Sequence, residues 1–210
     1  MMRSFEAPFS ELAEYESIRR LLKREKGIVA SDGCVDPQKL HMVYGMSDDF
    51  DYKIIVTFSE TKARAIYEDY KFYDPNAYLF PTKDLIFYQA DLSGNVITQQ
   101  RMSCIKALTE EKSCTIVTTV DAFMAHMAPI KTIEDSVIYI DEGSTVSETE
   151  LAEELVNAGY VRNYQIEGKG QFSVRGGIVD IYPLTDDNPV RVELWEIGRA
   201  SCRERVCRMV

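Results

Sequence analysis

Apolar positions follow two different patterns along this chain, and the change between them divides it. In the first part, short apolar runs alternate with helical stretches. Leu12, Tyr15, Ile18, Leu21 and Leu22 recur at helical spacing, and Ser10 can cap a helix over 10–25. Gly27–Ala30 is a short apolar strand, and Pro37, at an allowed early position, opens a helix to about Gly45. Lys53–Thr57 (KIIVT) is a continuous run of the kind found in a covered parallel sheet. Ser59 caps a helix to about Tyr70, Ala77–Phe80 is a strand ended by Pro81, and Gln99–Glu111 is a helix. Thr115–Thr119 is a strand and Val120–Met127 a helix, before Pro129 marks a boundary. This β/α alternation predicts a mainly parallel, doubly wound sheet over residues 1–130.

Beyond Pro129 the pattern is that of an α+β module over 131–195. Val137–Ile140 is a strand, and Ser147–Ala158 is a helix with Leu151 and Leu155 inward. In the stretch that follows, Phe172 and Val174 alternate with Ser173 and Arg175, the period of a half-buried strand. Gly176 and Gly177 can both take positive φ, as a two-residue hairpin turn requires. Ile178–Tyr182 is the return strand, stopped by Pro183, and Asp186, Asp187, Asn188 and Pro189 form a turn. Val190, Val192 and Leu194 then point one way, and Arg191, Glu193 and Trp195 the other. If the Val/Val/Leu face is the core, Arg191 and Trp195 share an exposed face, the composition of a binding hot spot. The plainer alternative pairs Arg191 with Glu193 and leaves Trp195 to cap the sheet edge.

The whole stretch Gly170–Trp195, GQFSVRGGIVDIYPLTDDNPVRVELW, resembles the UvrA-binding domain shared by the excision-repair protein UvrB and the transcription-repair coupling factors. The coupling-factor version reads GEFxVRGGIxDIYP followed by PVRIELW. Weaker segments, FSETKARAIYEDY, LFPTKDLIFYQAD and TIVTTVDAFMAHMAP, stand in the family's order, so the resemblance covers about residues 5–195. It implies a degenerate helicase-like parallel-sheet domain over 1–130, followed by an inserted α+β UvrA-binding domain over 131–195. It also implies that Arg175, Arg191 and Trp195 form the contact with UvrA. After Trp195 the pattern breaks off where coupling factors continue with an acidic strand. The string EIGRASCRERV resembles a translated sequencing adapter, so 196–210 is set aside from the fold. The second domain is then short of its last strand.

In a family member that turns over nucleotide, the first strand leads into a phosphate loop, GxxxxGK[ST], whose backbone N–H groups, lysine and hydroxyl hold the phosphates and Mg²⁺. The corresponding segment runs from Gly33 to Leu40. Gly33 and Lys39 keep the spacing, but Gln38 replaces the second glycine and Leu40 the hydroxyl residue. Asp36 adds negative charge and Pro37 removes a donor. A vestigial, non-functional nucleotide site is expected, as in the coupling factors, whose ATP- and Mg-dependent motor lies in distant domains absent here. Asp141–Glu142 after VIYI reads as a solvated strand end, and Phe87-Tyr88-Gln89 is too short for UvrB's DNA-gripping hairpin.

Composition narrows the function further. Among 210 residues, 34 acidic against 24 basic groups give a net charge of −10, and the set-aside tail holds an excess of basic ones. No basic run offers the footprint that phosphate backbones need. No apolar run reaches membrane-spanning length, and the N-terminus is too acidic and interrupted for a signal peptide, so a cytoplasmic protein is expected. Cys34, Cys104 and Cys114 form no CxxC spacing and read as buried free thiols. His41 and His126 lie far apart with no metal-ligand spacing.

The reading that follows is a catalytically inactive recruitment module of a coupling factor. It would bind UvrA, with no cofactor of its own and no membrane contact. RNA polymerase and double-stranded DNA would be reached only through missing C-terminal domains. The alternatives are a UvrB-type excision-repair protein, disfavoured by the degenerate phosphate loop, and a nucleotide-dependent enzyme on an α/β sheet.

Overall fold

A computed structural model of the chain describes residues 8, 11–24, 27–83, 93–110, 113–134, 137–141, 146–195, 199–202 and 206–209. In chain order the elements are α1 (Tyr15–Leu22), α2 (Asp36–Met46), β1 (Tyr52–Thr57), α3 (Glu60–Tyr70), β2 (Ala77–Phe80), α4 (Ser93–Glu110), β3 (Cys114–Thr119) and α5 (Val120–Met124). They continue with α6 (Ile130–Glu134), β4 (Ile138–Asp141), α7 (Glu148–Asn157), β5 (Val161–Arg162), β6 (Gln171–Arg175), β7 (Ile178–Tyr182), β8 (Val190–Trp195), β9 (Arg199–Cys202) and β10 (Val206–Met209). This is an α/β chain with a parallel sheet, a mixed sheet and several helices.

Two compact units result, Met1–Thr82 with Ala107–Met124, and Lys83–Lys106 with Ala125–Val210. The division is interleaved, whereas the sequence reading puts one boundary at 130.

The first unit is built on a wholly parallel sheet in the order β1-β3-β2. Ser59 starts α3 as expected, its hydroxyl accepting from the Lys62 N–H at 3.3 Å. One face of α3 then packs Ala63, Ile66 and Tyr67 with Ile55, Leu79 and Val117. The expectation that β1 is covered on both faces does not hold. Tyr52, Ile54 and Val56 are 51%, 53% and 44% exposed and alternate with better-buried neighbours. Three consecutive apolar residues, Ile54–Val56, cannot tell one covered face from two. Gly27–Ala30 is irregular rather than a strand: Ile28 is exposed, and Gly27 N–H closes a turn on the Arg24 carbonyl at 2.9 Å.

The second unit carries a five-stranded sheet in the order β5-β6-β7-β8-β9, parallel between β5 and β6 and antiparallel elsewhere. A separate antiparallel pair joins β4 and β10. The core gathers Ile140, Leu151, Leu155, Tyr160, Phe172, Val179, Ile181 and Val192, so α7 turns Leu151 and Leu155 inward as expected. A capping box fixes the start of α7. The Ser147 hydroxyl accepts from the Glu150 N–H, and the Glu150 carboxylate accepts from the Ser147 N–H, both at 3.1 Å. Gly176 and Gly177 turn the β6–β7 hairpin with φ of +58° and +83°. Two stretches of the segment set aside from the fold do pair: Arg199–Cys202 lies along β8, and Val206–Met209 along β4.

Candidate functional site

The outer face of the mixed sheet carries the site. The hairpin register sets Ser173 opposite Asp180, and Asp180 opposite Arg191. Period-2 alternation puts all three on one face with Arg175, while Phe172, Val179, Ile181 and Val192 fill the core. Asp180 is the polar exception in an otherwise apolar strand, IVDIY, and is only 7% exposed. A carboxylate buried to that degree needs cations or donors. Arg191 donates to it from Nε at 2.6 Å and from Nη2 at 3.0 Å, and Arg175 donates from Nη2 at 3.3 Å. These bonds, those of Arg191 foremost, hold the Asp180 carboxyl below the usual carboxylate range against the opposing effect of burial.

The arginines themselves are not buried: their side chains keep 49% (Arg175) and 48% (Arg191) of their surface, against 9% for Asp180. They border a cleft of about 560 Å³ lined also by Gln165, Ile166, Pro189 and Val190. The loop that carries Gln165 and Ile166 is tied to β6. Asn163 N–H donates to the Phe172 carbonyl at 2.8 Å, and Glu167 N–H to the Gln171 Oε1 at 2.8 Å. Arg175 also stands over the exposed Tyr164 ring, 5.9 Å from its centroid. The arrangement presents two oriented guanidinium forks, the group best suited to carboxylates and phosphates.

The sequence pointed to Arg175, Arg191 and the turn that spaces them, and only its plainer alternative named a partner for Arg191, Glu193. The carboxylate that Arg191 meets is Asp180 across the strand, not Glu193 on its own strand. A lone aspartate inside an apolar run was the available signal. Ser173, grouped with the outward residues, is 1% exposed. Trp195 ends β8, and its side chain lies outside the described residues, as do Glu142 and Phe87-Tyr88-Gln89.

The Gly33–Leu40 segment, expected to be a vestigial phosphate loop, lies in the first unit. Gly33 has φ of +73°, and Lys39 sits in the first turns of α2. Asp36 pairs with Lys39 at 3.4 Å and also with the Lys62 ammonium. Lys62 and then Lys39 pull its carboxyl below the ordinary range. Both lysines thus pair with the carboxylate of Asp36, which is itself 56% exposed. Of the cysteines, Cys104 and Cys114 are buried, whereas Cys34 is only half-buried. No helix among the described residues is long and apolar enough to cross a membrane.

A family described as "UvrB interaction domain" matches residues 138–198, which contain the whole arginine cleft. The chain is 35% identical over 130 residues to the transcription-repair-coupling factor of Bacillus subtilis (strain 168), covering 62% of this chain and 11% of that protein. It is 32% identical over 155 residues to UvrABC system protein B of Fervidobacterium nodosum, covering 73% of this chain and 23% of that protein. Against UvrABC system protein B of Pseudomonas savastanoi pv. phaseolicola it is 38% identical over 129 residues, 60% of this chain and 19% of that protein. The chain thus spans less than a quarter of the length of these curated relatives.

These matches correct two expectations. The family description names UvrB, and UvrABC system protein B recurs among the relatives. The reading as a coupling-factor module that recruits UvrA is therefore set aside, and the matches favour the UvrB-type alternative. UvrA, taken as the partner from the hairpin resemblance, is named by none of these matches and is not carried forward. The hairpin motif is common to both branches of the family and could not separate them. The degenerate phosphate loop weighed against UvrB only through what it lacks. The chain is a UvrB-homology module: it carries a UvrB interaction domain over residues 138–198 and is related over most of its length to UvrABC system protein B and the transcription-repair-coupling factor.

Proposed function

We propose that this chain is the protein-interaction part of a UvrB-type excision-repair protein, and that it meets its partner through the arginine cleft. In finer terms, a helicase-like α/β unit without a working phosphate loop precedes the interaction domain. The observation that carries this is the pair of half-exposed guanidiniums, Arg175 and Arg191, fixed on buried Asp180 inside the matched segment. On a chain of net charge −10, this is a local cationic recess in an acidic surface. It fits a partner segment that offers carboxylates, while the overall charge disfavours long stretches of nucleic acid.

Titration calorimetry of the chain against each purified component of the UvrABC system tests the proposal. One component binds with a Kd of about a micromolar or tighter, and Arg191→Ala weakens that binding by at least about tenfold, as expected for a hot-spot arginine. Binding by no component, or an Arg191→Ala variant that binds like the parent, overturns it.

A further inference from the structure

We propose that Asp180 is a positioning residue, holding Arg175 and Arg191 as one preformed clamp for carboxylates; this rests on the interaction role proposed above. Three features of the geometry carry it. First, the carboxylate bridges two strands. Arg175 ends β6, Arg191 sits on β8, and Asp180 on β7 between them bonds to both. Secondly, the bonding is directional. Arg191 turns its Nε–Nη2 edge onto the Asp180 carboxylate in a fork of 2.6 and 3.0 Å, so its Nη1 donors lie outside that fork. Arg175 engages Asp180 through Nη2 alone, at 3.3 Å. Thirdly, burial is asymmetric. The aspartate is covered while both guanidiniums reach the cleft.

A long arginine side chain free on a surface loses rotamer freedom when it binds. Here that cost is met in the folded chain, before any partner arrives. The site keeps one net positive charge, since one carboxylate stands against two guanidiniums. The opposite possibility is that Asp180 acts as an internal rival to an incoming carboxylate. The two differ in sign: removing the charge of a positioning residue weakens binding of an acidic ligand, and removing that of a rival strengthens it.

The test uses the full chain and a synthetic hexaglutamate peptide as probe. Its readouts are the ¹⁵Nε–Hε guanidinium spectrum and the peptide Kd. They are compared for the parent, Asp180→Asn, Arg191→Lys and the double variant. The expected result is a distinct, slowly exchanging Nε–H signal for Arg191 in the parent that is lost in Asp180→Asn. Asp180→Asn also weakens the peptide by about fivefold or more. Once Arg191 is already lysine, Asp180→Asn adds less than about twofold, the non-additivity of groups acting as one unit. Loss of packing alone would not remove one guanidinium signal selectively or cancel in the double variant.

An unchanged Arg191 signal, or tighter peptide binding by Asp180→Asn, overturns the proposal. If Asp180→Asn does not fold, Arg191→Lys decides by itself. It keeps the charge but loses the fork, and should weaken the peptide at least about fivefold; unchanged binding overturns the idea. If the parent does not bind the peptide, the acidic-partner reading fails, and the guanidinium spectrum still decides whether Asp180 positions the arginines.

Discussion

At the scale of single residues, the site is organised by one buried charge. Asp180 lies under two arginines, and its carboxyl is held below its ordinary value of 3.8 by the bonds from Arg191 and Arg175. A carboxylate whose pKa is lower in the folded than in the unfolded chain adds stability above the unfolded value. That stability is lost as pH falls through the folded one. Parent and Asp180→Asn should therefore differ most near neutrality, by about 2 kcal/mol for a partly buried ion network, and converge below pH 3.8. Urea unfolding of both proteins across that range measures it; a gap that persists undiminished at pH 2 would contradict the assignment. The aspartate was the least legible part of the site. Arg175 and Arg191 stand out beside the Gly-Gly turn, but their common partner emerges only once the register pairs β7 with β8. Lys39 is the contrasting case. The substitutions at Asp36, Gln38 and Leu40 set the expectation against phosphate, and in the structure Asp36 pairs with Lys39 and Lys62.

At the scale of elements, α7 and the β6–β7 hairpin frame the cleft's unit. The start of α7 rests on the reciprocal bonds of Ser147 and Glu150. Ser147→Ala should lower stability by about 1 kcal/mol, read as a shift of the denaturation midpoint at constant slope. A change within error would mean that tertiary packing of Leu151 and Leu155 alone fixes the helix. Elements with strong local signals were legible. Ser59 and Ser147 mark helix starts, Pro81 and Pro183 mark strand ends, and Gly176-Gly177 marks the turn. Elements made by their neighbours were not. β5 is two residues long and exists only as a partner of Gln171 and Phe172. Gly27–Ala30 has strand-like composition but no strand beside it among the described residues. Arg199–Cys202 and Val206–Met209 lack apolar periodicity, yet they pair with β8 and β4 through backbone bonds that composition does not report.

At the scale of the whole chain, two units carry different parts of the account. The first has the parallel sheet and the Gly33–Leu40 segment, where Asp36 pairs with Lys39 and Lys62. The second has the matched interaction domain and the arginine cleft. The β/α alternation and the hairpin motif made this general organisation readable in the sequence. The choice between the branches of the family was not, because both share the hairpin. The central claim is that the cleft is the contact surface, and chemical-shift mapping tests it most directly. The isotope-labelled chain is titrated with whichever UvrABC component binds it. The account requires the largest perturbations at Arg175, Asp180, Arg191 and the Gln165–Ile166 loop. Perturbations centred instead on the exposed Tyr52, Ile54 and Val56 of β1, with the arginine cleft unmoved, would contradict it.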